Sequence, residues 1–259
     1  MIPQPQGVYI QAQSGLQQLE NLQGVFIKQK FEALEALIGY ETPNVYKVFP
    51  ADANGIQQGN NTIFKCKEKS SCLARNCLPG SCRPFKMKCS NYQGQVKETG
   101  FEQSMFMLLE RPFTCTCLCL ARPVLDVIIV ENGQNQNIGK IISPCLMCSL
   151  GLNIQDAVGN LKYTIMGSLC QVGVCCKGLP CESCQTVRFE LKDAEGKTVS
   201  NITKLTTGCL KSCVGDSSNF SVCFPLQSAA TDKALIVAST LFLDYMYFEE
   251  NPNENNQNY

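Results

Sequence analysis

Residues 234–248 read Ala-Leu-Ile-Val-Ala-Ser-Thr-Leu-Phe-Leu-Asp-Tyr-Met-Tyr-Phe. Only Ser239, Thr240, Asp244 and the hydroxyls of Tyr245 and Tyr247 interrupt the apolar run, which holds neither Gly nor Pro. The spacing predicts a helix that is apolar on every side, built on Ala234, Leu235, Ile236, Val237, Leu241, Phe242, Leu243, Met246 and Phe248, with Asp244 among them. Such a helix has to be buried in something, either protein or lipid. Length separates the two. Residues 234–248 at a rise of 1.5 Å make a rod ~22 Å long, whereas a bilayer core is ~30 Å thick and takes about 20 residues. A membrane span would also leave the Asp244 carboxylate in hydrocarbon, about one turn from the helix end. The run therefore favours the core of a protein over a crossing.

Working outward, the chain before this helix is short-period and alternating. Val45-Tyr46-Lys47-Val48-Phe49, Thr62-Ile63-Phe64 and Phe85-Lys86-Met87-Lys88 read as strands with one face in and one face out. Val124 to Val130 is nearly all apolar, and Leu161–Met166, Thr186–Lys192 and Thr198–Lys204 follow. Glu131-Asn132-Gly133, Asp193 to Gly196 and Val214-Gly215-Asp216 supply turns between them. Leu16 to Ile38 suits either period: Ile27, Phe31, Leu34, Leu37 and Ile38 keep helical spacing, while Val25 and Ile27 suit a strand. The pattern predicts a mainly β fold, either a sandwich or a closed barrel. Residues 1–14 form a Pro/Gln-rich lead-in, 15–250 the folded domain, and 251–259 an Asn-rich tail.

Of the 259 residues, 44% are apolar and 17% charged, enough to build a large core. Lys plus Arg equals Asp plus Glu at 22 each, so net charge draws the protein to neither nucleic acid nor an anionic surface, and no nucleic-acid partner is expected. Locally the balance differs. Residues 65–97 carry eight basic groups and one acid, Glu68, a stretch that either faces phosphates and lipid headgroups or is a solvated loop. There is no His, which removes the commonest general base, the Ser–His and Cys–His nucleophile pairs and any mixed Cys/His zinc site. No catalytic constellation for bond-breaking chemistry remains. Eighteen Cys occur without an apolar leader, which predicts a cytosolic protein with mostly reduced thiols.

Three constellations could carry chemistry. Cys115, Cys117 and Cys119 alternate, so a strand would place them on one face as candidates for S-palmitoylation, or as three small buried hydrophobes. The pairs Cys145/Cys148 and Cys181/Cys184 could make a four-thiolate zinc site if the fold joined them, or could be core cysteines. The stretch from Asp216 to Gln227 could ligate calcium around Asp216, Ser218, Phe220, Val222 and Gln227, or could be a turn followed by a strand.

Several segments together resemble the phospholipid scramblase family. Phe31-Glu32-Ala33-Leu34-Glu35-Ala36-Leu37-Ile38-Gly39-Tyr40-Glu41-Thr42 is similar to that family's opening, and Arg75-Asn76-Cys77 and Arg83-Pro84-Phe85 to its Cys/Arg stretch. Leu109-Glu110-Arg111-Pro112, followed by Cys115, Cys117 and Cys119, resembles its arginine–proline segment and cysteine cluster. Asn219-Phe220, Phe224-Pro225 and Leu241 to Glu249 resemble its calcium segment and C-terminal helix. The resemblance implies a tubby-like closed barrel of about twelve strands around a central hydrophobic helix. It implies ATP-independent, bidirectional, calcium-regulated movement of phospholipids between leaflets. Palmitate on Cys115, Cys117 and Cys119, residence at the cytosolic face of the plasma membrane and homo-oligomers belong to the same set of expectations. A tubby-like lipid-binding or adaptor module without intrinsic scrambling is the alternative. Two features depart from the family. Ser218 and Gln227 stand where it carries acids, leaving Asp216 as the retained carboxylate, and the long Pro-rich N-terminal region is reduced to about fourteen residues.

Overall fold

The computed structural model describes residues 15–30, 43–71, 74, 78, 82–92, 104–114, 121–131, 133–146, 149–175, 184–205 and 218–248. It begins with a short helix, α1 (Gly15–Glu20). The strands that follow are β1 (Gly24–Gln29), β2 (Val45–Ala51), β3 (Phe64–Lys69), β4 (Phe85–Asn91), β5 (Met105–Arg111) and β6 (Val124–Glu131). Then come β7 (Gln134–Ile142), β8 (Ser149–Asp156), β9 (Leu161–Ser168), the short helix α2 (Val172–Cys175), β10 (Thr186–Asp193), β11 (Thr198–Leu205) and β12 (Asn219–Cys223). The last described element is α3 (Ala230–Tyr247).

Successive strands pair antiparallel, and β1 pairs with both β2 and β12, so the sheet closes into a barrel. Closure follows from the alternation. On β1 Val25 and Ile27 are fully buried, as are Val48 on β2, Cys66 on β3, Met87 on β4 and Leu109 on β5, while the residues between them point outward. β6 looks nearly all apolar in sequence, yet Leu125, Val127 and Ile129 are buried and the residues between them are half-exposed, because a barrel wall has only one dry face.

Twelve strands at 4.8 Å spacing and the usual tilt enclose a ring about 24 Å across, too wide for the wall's own side chains to fill. The space admits one helix, and α3 occupies it. Every residue from Asp232 to Tyr245 is buried. The Ser239 hydroxyl donates to the Leu235 carbonyl (2.7 Å) and that of Thr240 to the Ile236 carbonyl (2.9 Å), so both polar groups are satisfied within the helix. On β7, a side chain at Gly139 would strike the Gln155 carbonyl and crowd Leu235 of α3, so the wall needs a glycine where it passes the helix.

Some expectations shift. α3 starts four residues before Ala234, and Met246 and Phe248 are half-buried because they reach the barrel mouth. The segment with two periods splits: residues 15–20 are helical, whereas Val25 and Ile27 join a ladder between β2 and β12. Phe31, Leu34, Leu37 and Ile38 lie outside the described residues. Thr62 and Ile63 precede β3, although the Ile63 N–H still donates to the Val48 carbonyl (2.8 Å). Cys66 and Cys89 face each other across β3 and β4 and form a disulfide, whereas Cys82, Cys145, Cys170, Cys175 and Cys223 are free thiols.

Candidate functional site

Among the described residues, the hydrogen bonds and ion pairs that tie α3 to the barrel gather at its two ends. At its C-terminal end the Asp244 carboxylate accepts a hydrogen bond from the Tyr46 hydroxyl on β2 (2.8 Å). The neighbouring Tyr245 hydroxyl donates to Glu68 Oε2 on β3 (2.5 Å). Glu68 also accepts from the Asn44 backbone N–H (2.8 Å) and from the Ser70 hydroxyl. The Asn44 amide donates to the Tyr245 oxygen (3.0 Å), and Gln29 in turn donates to Asn44 Oδ1 (2.7 Å). Phe85 stacks on the Tyr245 ring at 4.3 Å, and the buried Arg111 guanidinium lies 5.3 Å from Phe242 and 5.8 Å from Phe85. The Lys204 ammonium sits 4.2 Å over Phe248. A carboxylate at this depth is tolerated because hydroxyl and backbone donors converge on it.

The N-terminal end is tied differently. Asp232 pairs with Lys162 of β9 and accepts from the Tyr163 hydroxyl (3.4 Å). Burial, together with the Asp232 charge and hydrogen bond and the more distant Asp193, pushes the Tyr163 phenol up to about 12. Lys233 donates to the Glu20 and Leu22 carbonyls (2.7 and 2.9 Å), which draws the end of α1 against α3. Burial lowers the Lys233 pKa, and the Glu20 charge opposes this. A cleft of about 530 Å³ opens beside Lys233, Phe224, Leu226 and Cys223. The Cys223 thiol is pushed up by burial and by Asp52.

The helix residues named from sequence lie together in the lumen, with Met246 and Phe248 at its mouth. Of the calcium candidates, those within the described residues are spread out. Ser218 and Gln227 lie beyond opposite ends of β12, which alone is about 17 Å long. Ser218 exchanges backbone and side-chain bonds with Gln29, and Gln227 is an exposed turn residue at φ 59. Phe220 and Val222 are fully buried core side chains. Asp216 lies outside the described residues. So do Cys115, Cys117, Cys119, Cys148 and Cys181. Cys145 is exposed, whereas Cys184 is buried and disulfide-bonded. Among the described residues no group of three or more His, Cys, Asp or Glu is placed to hold a metal ion.

Sequence reasoning missed Tyr46, Glu68, Asn44, Lys162 and Asp232. One signal was present in the alternation of β3: with Lys65, Lys67 and Lys69 facing out, Glu68 has to face in.

A closed twelve-stranded antiparallel barrel threaded by its own C-terminal helix and latched to it at both ends is the architecture that the resemblance to scramblases implied. The scramblase family model matches residues 2–250, and the chain belongs to that family. It is 28% identical to phospholipid scramblase 1 of Rattus norvegicus over 93% of this chain and 64% of the rat protein. It is 30% identical to phospholipid scramblase 2 of Bos taurus (91% of this chain, 71% of that one) and 30% identical to phospholipid scramblase 1 of Homo sapiens (91% and 66%). The chain thus spans roughly two thirds of the length of these relatives. No solved structure matches it.

Proposed function

We propose that the protein is a phospholipid scramblase, moving phospholipids in both directions between leaflets without ATP. The observation that carries this is the family match across residues 2–250, which takes in the barrel and its helix together. The packing of α3 constrains how the activity works. Its buried residues occupy the lumen, so a headgroup does not travel through the barrel. Lipid exchange then takes place outside the barrel wall, where the protein thins or disorders the bilayer and lowers the cost of moving a polar headgroup through hydrocarbon. Among the described residues no helix is long and apolar enough to cross a membrane.

Purified protein in liposomes is expected to expose fluorescent inner-leaflet lipid to a quencher without nucleotide. Calcium is expected to matter only in the millimolar range or above, because Ser218 and Gln227 bring no charge and sit at opposite ends of β12. Micromolar calcium dependence abolished by Asp216→Ala would refute the weak site. Binding to liposomes without lipid exchange would favour the second reading, a lipid-binding or adaptor module, which the filled lumen supports.

Anchorage to the cytosolic face of the plasma membrane is assigned to palmitate on Cys115, Cys117 and Cys119. Converting all three to Ser is expected to move most of the protein to the soluble fraction of cells. Unchanged membrane recovery would place the anchor elsewhere.

A further inference from the structure

The barrel turns the basic stretch into a surface. Lys28 of β1 stands opposite Lys47 of β2, and Lys47 stands opposite Lys65 of β3. Lys67 and Lys69 of β3 stand opposite Lys88 and Lys86 of β4. All seven point outward, since their sequence neighbours Ile27, Tyr46, Val48, Cys66, Glu68, Met87 and Cys89 are buried. Strands 4.8 Å apart and outward residues about 7 Å apart along each strand confine seven ammonium groups to roughly 15 by 15 Å. The stretch's one acid, Glu68, is turned into the core. On the described outer wall the face is bordered by Glu110 of β5, which pairs with Lys86 at 2.6 Å.

Like charges directly opposite on a sheet destabilise it. Here four such Lys–Lys pairs recur across three strand junctions. A local rule broken this consistently marks a functional surface rather than a folding requirement. The protein's formal net charge is zero, so the concentration of positive charge on one wall is a matter of placement, not of composition. Lys28 also lies 5.4 Å over the Phe26 ring and 5.1 Å over that of Phe49, which holds its ammonium close to the wall.

We propose that the outer wall of β1–β4 is the face with which the protein lies on an anionic membrane, its lysines meeting acidic phospholipid headgroups. This convex patch of ammonium groups complements a sheet of negative headgroups, each lysine that reaches the surface contributing about five-fold in affinity. The inference rests on the membrane reading of function but not on lipid movement. It orients the barrel with β1–β4 toward the bilayer and β7–β10 toward solvent.

The test is cosedimentation of the 259-residue chain, without palmitate, with vesicles of phosphatidylcholine alone or with added phosphatidylserine. Wild type is expected to bind only the anionic vesicles, and more weakly as salt rises. Lys28→Gln, Lys47→Gln and Lys69→Gln together should reduce that binding about a hundred-fold. Lys140→Gln, Lys192→Gln and Lys197→Gln change net charge equally on the far walls and should leave binding within two-fold. Lys28→Arg, Lys47→Arg and Lys69→Arg together should retain binding, and removing facing like charges should not lower the melting temperature of the Gln variant. Equal binding to neutral vesicles, or equal losses from both Gln triples, would overturn the proposal. Anionic binding without lipid exchange leaves this face in place and removes the scrambling function instead.

Discussion

Replacing Leu241 with Ala is expected to destabilise the purified protein by about 2–5 kcal/mol, the range for truncating a leucine in a packed core. Leu241 is 1% exposed inside the barrel. Its lost methyl groups leave a hole that a closed wall of twelve hydrogen-bonded strands cannot collapse to fill. Denaturant unfolding should show an earlier midpoint with an unchanged slope. Leu226→Ala is the internal comparison. It removes the same atoms from a side chain that is 96% exposed in the turn before α3, and its cost should stay within about 0.5 kcal/mol. If Leu241→Ala were as mild as Leu226→Ala, α3 would not be the barrel's core and its apolar surface would have to be met by lipid.

Much of the fold could be read from the chain because a barrel wall has one dry face, and alternation records it. The strands at Val45, Phe85, Leu161, Thr186 and Thr198 were legible for that reason. β7 was not, because Gln134, Asn135, Gln136 and Asn137 are exposed on both faces where the hairpin projects past the core, leaving no apolar period to detect. β5 was hidden for the opposite reason. Met105 to Leu109 is continuously apolar, so it carries no alternation to mark a half-buried strand. The all-round apolar character of residues 234–248 correctly demanded burial. It could not say that the helix begins at Ala230, because Asp232 and Lys233 look like flanking solvent-side charges until Lys162 and the end of α1 are placed against them. The polar latches were out of reach altogether. Tyr46 and Asp244 are 198 residues apart, and Glu68 and Tyr245 are 177 apart, so no local pattern links them. The same limit hid the Cys66–Cys89 pairing and the lysine wall, both of which are products of strand register.

Ending the chain at Ala229 should have the largest effect of all, namely loss of the native barrel. The truncation removes every α3 residue from Asp232 to Tyr245 out of the lumen. It also removes one partner each from Tyr46, Glu68, Lys162 and Gly151. Glu68, only 6% exposed, would be left facing an apolar cavity or admitted water, at the cost of desolvation or of core packing. A ring about 24 Å across has no neighbouring layer to close the gap, and its strands cannot tighten without changing their number or register. The expected product is a collapsed, dye-binding state that keeps far-ultraviolet strand signal but loses near-ultraviolet signal from its aromatics, or an insoluble one. Low yield alone would be ambiguous, so the decisive measurement is complementation. A peptide of residues 230–248 added to the truncated chain during refolding should restore the near-ultraviolet signal and a cooperative melt. A peptide carrying Leu241→Ala and Phe242→Ala should not. If the chain ending at Ala229 instead folds, stays soluble and melts cooperatively alone, then the barrel is self-sufficient. α3 would in that case be a separate element whose apolar surface belongs in a membrane.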